Sequence, residues 1–292
     1  MTQLLVIADD MAMTHGTTLG ILDSIDRGIV RNTGIFANCD DAELAGSELK
    51  SRDQIDVGID LNFVTGRPLL GASEVPSLVE SDGAFRPSRR IRAEGTVRRQ
   101  AGPFVEFDVE PFDYDETLAE ARAQLARFRE IMGRNPVYLH HHSLITPGID
   151  AVFYTLAREM RLPVIDDLYR GGHVPKLPNP WYLEDRFDVQ AQADADPKAS
   201  TREIVEAAAA DPVSLLFLHP GYVDAEVIRI STYSVIRAQD LDFATHPSVA
   251  DALTGAEVEL TTFTRGTSHG RPIFELATAV TQDAANASRG GG

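Results

Sequence analysis

Four short stretches of this 292-residue chain carry side chains that could do chemistry together. Asp9 and Asp10 directly follow the apolar run Leu4–Ala8, and Asp60 lies near the end of the run V-G-I-D-L. His140, His141 and His142 fall within Pro136–Leu144, and His219 follows the strongly apolar Val213–Leu218. Adjacent carboxylates repel one another unless a proton or a cation separates them. Two or three carboxylate or imidazole groups, with water on the remaining positions, make a divalent-cation site. Each stretch alone also has a structural reading: a loop acid beside an N-cap acid, or a histidine satisfied by hydrogen bonds. What favours chemistry is that all four fall at the C-terminal ends of predicted strands, the edge where parallel α/β folds build their sites. Side chains alternate along a strand, so His140 and His142 share a face and His141 points away; at most two of the three serve one site.

The elements that position these residues follow from periodicity and punctuation. Thr14 is a plausible N-cap for a helix ending at Gly28, and strands are predicted at 32–38 and 54–61 with a helix at 41–50 between them. The segment 76–111 has little clean periodicity and reads as an insertion over the open rim. An amphipathic helix over 115–132 carries Leu118, Ala121, Leu125, Phe128 and Met132 on one stripe and is closed by Gly133. Further strands are expected at 136–144, 163–165, 213–218 and 258–263, and helices at 149–161, 201–210, 232–244, 247–253 and 273–285. The Pro-, Gly- and Asp-rich stretch 171–197 reads as a mobile loop and a candidate lid. The expected architecture is α/β: an irregular TIM-like (β/α) barrel of about seven parallel strands, with inserted loops over its C-terminal rim. We expect one domain over 1–286 and a disordered tail at 287–292.

Composition narrows the function. The formal charge is −17 and no Lys/Arg cluster is large, so neither nucleic acid nor an anionic membrane surface is an expected partner. Cys39 is the single cysteine, which rules out an intrachain disulfide and fits a reducing compartment. No apolar run of membrane-spanning length occurs, and the expected location is cytoplasmic. The sequence leaves a homodimer open.

Taken in order, the motifs resemble those of the YdjC-like carbohydrate deacetylases, a family that includes chitooligosaccharide deacetylase. The family's N-A-D-D-F-G is similar to Ile7-Ala8-Asp9-Asp10-Met11-Ala12, and its G-I-V-T-S-T to Gly28-Ile29-Val30 with Asn32-Thr33. Its G-L-H-L…G-K-P-L resembles Gly58-Ile59-Asp60-Leu61…Gly66-Arg67-Pro68-Leu69, and its P-S-L-V…D-G-F resembles Pro76-Ser77-Leu78-Val79 with Asp82-Gly83 and Phe85. The late motif H-P-G-Y-V-D is intact at His219–Asp224, followed by Ser231, Tyr233 and Arg237 at family-like spacing. The resemblance spans Leu4 to about Phe263 and implies a metal-dependent hydrolase that removes the acetyl group from an N-acetylated sugar. It also implies Asp10 as a metal ligand and Asp9 as the base. In such a hydrolysis His219 is expected to protonate the leaving amine, the alternatives being a substrate hydrogen bond or a structural contact. Arg67 and Tyr222 would line the sugar site, and Trp181 would either stack on a sugar face or pin its own loop.

The chain departs from the pattern at two of three ligands. Asp60 stands where the family has histidine, which favours Mg²⁺ or Mn²⁺ without excluding Zn²⁺ as the one divalent ion. The motif D-S-H-x-H-x-H is reduced to Leu139-His140-His141-His142-Ser143-Leu144. Counting from Gly133-Arg134-Asn135-Pro136 puts the third ligand at His142, and counting back from Pro147-Gly148 puts it at His140; the first is preferred. These departures also fit a degenerate, non-catalytic sugar-binding member. A metal-dependent hydrolase of another bond, such as a phosphoester, is a further reading, weakened by the scarcity of basic residues around the motifs.

Overall fold

The computed structural model describes residues 2–185 and 188–290, apart from the side chains of 288–290. In chain order the elements are β1 (Thr2–Met11), α1 (His15–Asp26), β2 (Asn32–Ile35), α2 (Ala42–Leu49), β3 (Asp56–Leu61), α3 (Ser88–Glu94), β4 (Val97–Ala101), β5 (Phe104–Phe107) and α4 (Tyr114–Met132). Then follow β6 (Leu139–His141), α5 (Pro147–Met160), α6 (Asp166–Arg170), α7 (Val189–Asp194), a 3-10 turn (Pro197–Ser200), α8 (Thr201–Ala209) and β7 (Val213–Leu218). The chain ends with α9 (Ala225–Ile230), α10 (Val235–Thr245), α11 (Pro247–Gly255), β8 (Val258–Leu260), β9 (Thr267–Ser268), β10 (Arg271–Pro272) and α12 (Ile273–Gly290).

The long strand β1 is the centre of a parallel sheet of order β6-β3-β2-β1-β7. Its composition explains the position: Leu4, Val6 and Ala8 enter a large apolar cluster with α1, α4, α5 and α8. Leu5 and Ile7 face the other way, into a second cluster with Val213, Leu215, Phe217, Tyr138, Phe263 and the α12 residues Ile273 and Ala277. A strand buried on both faces reads as a continuous apolar run. β8 also pairs with β1, through Thr2, Gln3 and Leu4. Gln3 and Leu4 already pair with β7 on one edge, so β8 lies on the same edge as β2. Asn32 stands at the fork between them. Its Nδ2 donates to Val6 O and Thr261 O, both at 3.2 Å, and its Oδ1 accepts from Phe263 N at 3.2 Å.

The expected closed barrel is corrected to an open sheet. Among the described residues six parallel strands form it, and its edges are extended only by single bridging residues, Val164 beside Leu139 and Lys176 beside Leu215. Among the described residues no ladder joins Val164 to Lys176. The intervening chain turns into α6, whose Asp166 and Asp167 use their carboxylates locally on His141, Tyr169 and Tyr154 and so do not extend a strand. The insertion also differs from the expected loop: it contains α3 and the antiparallel hairpin β4–β5. The fully exposed strand β4 has no apolar alternation from which it could be read. The last helix continues to Gly290, so 287–290 are helical, and 291–292 lie outside the described residues. No described helix is long and apolar enough to cross a membrane.

Asn32→Ala removes three hydrogen bonds at the fork and leaves buried backbone groups unpaired. We expect a loss of about 3 kcal/mol, at about 1–3 kcal/mol per orphaned group with partial relaxation. It should appear as a lower urea midpoint at unchanged slope. An unchanged midpoint would remove Asn32 from the list of residues that hold β8.

Candidate active site

The C-terminal end of β1 does not continue as a plain strand. Its register with β2 slips between Ala8 and Met11, and Asp10 adopts φ 70°. Two residues on β1, Asp9 and Asp10, oppose the single Gly34 on β2, which is a β-bulge, and aspartate is one of the few non-glycine residues that enters the left-handed region readily. In a straight strand Asp9 and Asp10 would point to opposite faces. Here both reach the same rim, each with its own partners.

Asp9 faces Asp60 and His140. Asp9 Oδ1 lies 3.4 Å from His140 Nδ1, and Asp60 Oδ1 lies 3.1 Å from the same nitrogen. β3 and β6 pair Asp60 with His140 directly, which sets this contact by register. Gly34 of β2 makes room for it: a Cβ there would fall 1.7 Å from Asp60 Oδ1. The other oxygen of Asp60 accepts the Asp10 N–H at 3.1 Å. Among the described residues, Asp9, Asp60 and His140 form the one group of three side chains whose ligand atoms all lie within 4.8 Å of one another. Burial raises the Asp9 carboxyl well above its usual range, and Asp60 and Asp10 add to the effect against the pull of His140. Burial alone would depress His140, but Asp9, Asp166 and Asp60 outweigh it and push the imidazole up to about 10. Asp9 Oδ1 is buried without a hydrogen-bond partner. A buried, unpaired carboxylate oxygen beside a second carboxylate and an imidazole fits a divalent cation in charge and donor type.

Asp10 has a different environment. Arg237, itself buried, donates to Asp10 Oδ2 at 2.6 Å, and His142 Nδ1 lies 3.0 Å from Asp10 Oδ1. Burial pushes this carboxyl up, but Arg237 and His142 outweigh it and hold it well below the carboxylate range. His142 Nε2 is 3.5 Å from Thr65 Oγ1, and its ring meets Phe36 edge-on at 4.6 Å. The alternation expected for the histidines is therefore present, with His141 turned to the other side. There it stacks on Phe153 at 3.6 Å, with Nδ1 2.9 Å from Asp166 and Nε2 3.1 Å from Asp150.

His219 leaves β7 next to Asp9, with Nε2 3.7 Å from Asp9 Oδ2. Its Nδ1 is 3.0 Å from Tyr182 Oη, and its backbone N–H donates to Asp240 Oδ2 at 2.6 Å. Burial pushes this imidazole down to about 3, against the pull of Asp10. Asp240 is fully buried and accepts the Tyr182 hydroxyl and, at 2.7 Å, Trp181 Nε1–H. Burial raises its carboxyl to about 7.

A YdjC-like protein profile matches residues 3–255. The chain belongs to the YdjC-like family. It is 28% identical over 261 residues to a carbohydrate deacetylase of Geobacillus stearothermophilus, covering 89% of this chain and 96% of the relative. It is 25% identical over 254 residues to a chitooligosaccharide deacetylase of Yersinia enterocolitica, covering 86% and 93%. Its fold is also similar to a solved Enterococcus faecalis V583 protein described as a "putative cellobiose-phosphate cleavage protein", with TM-score 0.70, 20% identity and coverage of 89% and 97%.

Of the residues expected to hold a metal, Asp60 and His140 lie together with Asp9, expected as the base, while Asp10 and His142 pair with each other beside this group. The remaining candidates lie outside this cluster. Trp181 is 2% exposed and packs at a tilt on Phe243, ring centroids 4.7 Å apart, which matches the expected alternative that it pins its own loop. Tyr222 is exposed and its hydroxyl donates to Asp23 of α1. Arg67 is exposed and donates to Asp82 O at 2.8 Å. The expected mobile loop is bound down by buried Gln192, which donates to Trp181 O at 2.7 Å and to Gln239 Oε1 at 2.6 Å. Sequence reasoning missed Tyr182, Asp240 and Asp166. Only Asp166 carried a signal, following a short predicted strand.

Arg237→Met should destabilise the protein by about 3–5 kcal/mol near pH 8, because it strands a buried carboxylate. Asp10 has a depressed folded pKa. The stability it contributes is present above the unfolded value of about 3.9 and is lost as pH falls through the lower folded value. The gap between wild type and variant should therefore shrink under acid, as read from urea midpoints over that range. A gap independent of pH would show that Arg237 acts through packing alone.

Proposed function

We propose that this chain hydrolyses the acetyl amide of an N-acetylated sugar or related small molecule with the help of one divalent cation. The observation that carries the reading is the placement of Asp9. One of its oxygens joins Asp60 and His140, and the other faces His219. The names of the relatives supply the substrate class.

Asp9, Asp60 and His140 are the residues that would hold the cation. When bound, a divalent ion supplies Lewis-acid polarisation of the acyl carbonyl and a lowered pKa for water. Two carboxylates favour Mg²⁺ or Mn²⁺, and the imidazole keeps Zn²⁺ compatible. With Asp9 used in this way, His219 is the base that remains. Its imidazole is neutral at pH 7 because burial disfavours the cation. It takes a proton from water at Nε2 and returns it to the leaving amine, which is too basic to depart unprotonated. Asp10, fixed as an anion by Arg237, holds His142 and donates its N–H to Asp60. Arg67 and Tyr222 stand as candidate sugar contacts.

Elemental analysis should find about one equivalent of divalent ion per chain, and Asp9→Ala and Asp60→Ala should each weaken the site by more than the ~10–100-fold typical of an outer partner. His219→Gln should keep the ion and lower kcat for acetate release by about 10²–10⁴-fold. Saccharide binding without acetate release would move the chain to the non-catalytic sugar-binding reading.

Cation uptake must also displace protons. His140 holds one at neutral pH and Asp9 has a raised affinity for another. Affinity for Mg²⁺ or Mn²⁺ should strengthen from about pH 6 to about pH 8, with proton release seen by calorimetry in two buffers of different ionisation enthalpy. Affinity without pH dependence would exclude His140 as a ligand.

A further inference from the structure

A histidine that takes a proton at Nε2 and later returns it stays neutral throughout only if Nδ1 can pass its own hydrogen on. The contacts behind His219 supply a route. Nδ1 is 3.0 Å from Tyr182 Oη, and the Tyr182 hydroxyl reaches Asp240 Oδ2. Nδ1 and Asp240 Oδ2 are 3.9 Å apart, too far for a direct hydrogen bond, so the phenol is the link between them.

The proton inventory fixes the direction. A phenol has one hydrogen. Donated to ionised Asp240, it leaves Tyr182 Oη to accept from Nδ1–H, and Nε2 is then bare. When Asp240 is protonated the chain reverses: Asp240 donates to Tyr182, Tyr182 donates to Nδ1, and Nε2 carries the hydrogen. The two arrangements are the base and the acid forms of one neutral imidazole.

We propose that Tyr182 is a positioning residue that carries protons between His219 and Asp240, so that His219 works through its two neutral tautomers. The inference rests on the hydrolase reading for its chemistry. In the forward step the water O–H bond breaks and Nε2–H forms, Nδ1–H breaks and Tyr182 Oη–H forms, and the original Oη–H breaks as Asp240 Oδ2–H forms. Hydroxide goes to the acyl carbon, and Asp240 is left as the neutral acid. When the amine departs, every transfer runs backwards. No other acid, base or oxidant is needed. Burial has raised the Asp240 carboxyl to about 7, which suits it to hold a proton transiently. The surroundings hold the bridge still. Tyr233 packs edge-on against both the His219 ring at 4.8 Å and the Tyr182 ring at 5.6 Å, and Trp181 Nε1–H occupies the other Asp240 oxygen at 2.7 Å. Gln192 accepts Leu183 N–H at 3.2 Å, immediately after Tyr182.

The test is the His219 tautomer, read by ¹⁵N NMR on the full-length protein labelled at histidine, with His219→Gln assigning the signal. At about pH 8.5, above the raised value of Asp240, wild type should show Nδ1–H and a bare Nε2. Tyr182→Phe should shift the population to Nε2–H, the form an unconstrained imidazole favours. The same variant should lower kcat for acetate release about 100-fold with KM changed less than about threefold. Wild-type His219 found as Nε2–H, or a folded Tyr182→Phe that keeps both tautomer and kcat, overturns the proposal. Should Tyr182→Phe fail to fold, the wild-type tautomer alone decides. Should the wild type release no acetate from any N-acetylated sugar, the hydrolase reading falls, while the tautomer comparison still judges the bridge.

Discussion

Neutralising buried carboxylates at the end of β1 is the constraint on which the rest of the structure depends. Asp9, Asp10, Asp60, Asp166 and Asp240 are all buried. Each would cost several kcal/mol as an unpaired ion. Each is answered from a different part of the chain: Asp10 by Arg237 of α10, Asp60 by His140 of β6, Asp166 by His141 and Tyr169, and Asp240 by Trp181, Tyr182 and the backbone of His219. Asp9 has the weakest answer: its Oδ1 lies 3.4 Å from His140 Nδ1 and, like Asp10 Oδ1, is buried without a hydrogen bond, and Asp9 has no arginine beside it as Asp10 has. The unbalanced group is the one that faces both the imidazole of the candidate cation pocket and the histidine proposed to move protons.

The loops are fastened by the same device, amide and carboxylate side chains closing on backbone. Glu120 of α4 accepts the N–H groups of Leu69 and Leu70, Glu116 accepts that of Ser77, and Gln124 both donates to and accepts from the backbone of Asn62. These bonds hold the segment with Thr65 against His142. On the opposite side Gln192 and Gln239 bind the chain around Trp181 and Tyr182 to α10. Such loops follow the helices that anchor them, which is how segments far apart in sequence keep the separations that proton transfer requires.

The strands, the main helices and the rim that bears the site were legible because apolar runs and capping residues are local signals. Leu4–Ala8, Val213–Leu218 and the stripe from Leu118 to Met132 need no tertiary context. Which partners Asp9 and Asp10 would each meet was not legible, because it depends on a bulge and a positive φ that no residue pattern announces. Alternation correctly separated His141 from its neighbours but could not choose between His140 and His142. Which of the two stands opposite Asp60 lies in the register of β3 with β6, which is set by the whole sheet. Barrel closure was overestimated because 163–165 is apolar enough for a strand, while the acids that follow turn it into α6. Tyr182 and Asp240 were invisible because a buried hydrogen-bonded chain leaves no periodic trace.

A carboxylate at position 60, where the resemblance places histidine, changes what the pocket does before any cation arrives. A neutral imidazole there would ask for no counter-charge. Asp60 adds to shifts that others set: burial drives Asp9 toward its neutral acid, and Asp9 and Asp166 push the His140 imidazole up, with Asp60 acting in the same direction on both. From behind, the row Arg170–Asp150–His141–Asp166 reaches His140 Nε2 at 3.7 Å and tips the same balance toward the imidazolium. A divalent ion entering this pocket therefore competes with protons, and part of its binding free energy goes into expelling them. On the proposed reading, the pocket would offer a hard cation two carboxylates, while protons on His140 and Asp9 would lower the cost of burying those groups without it.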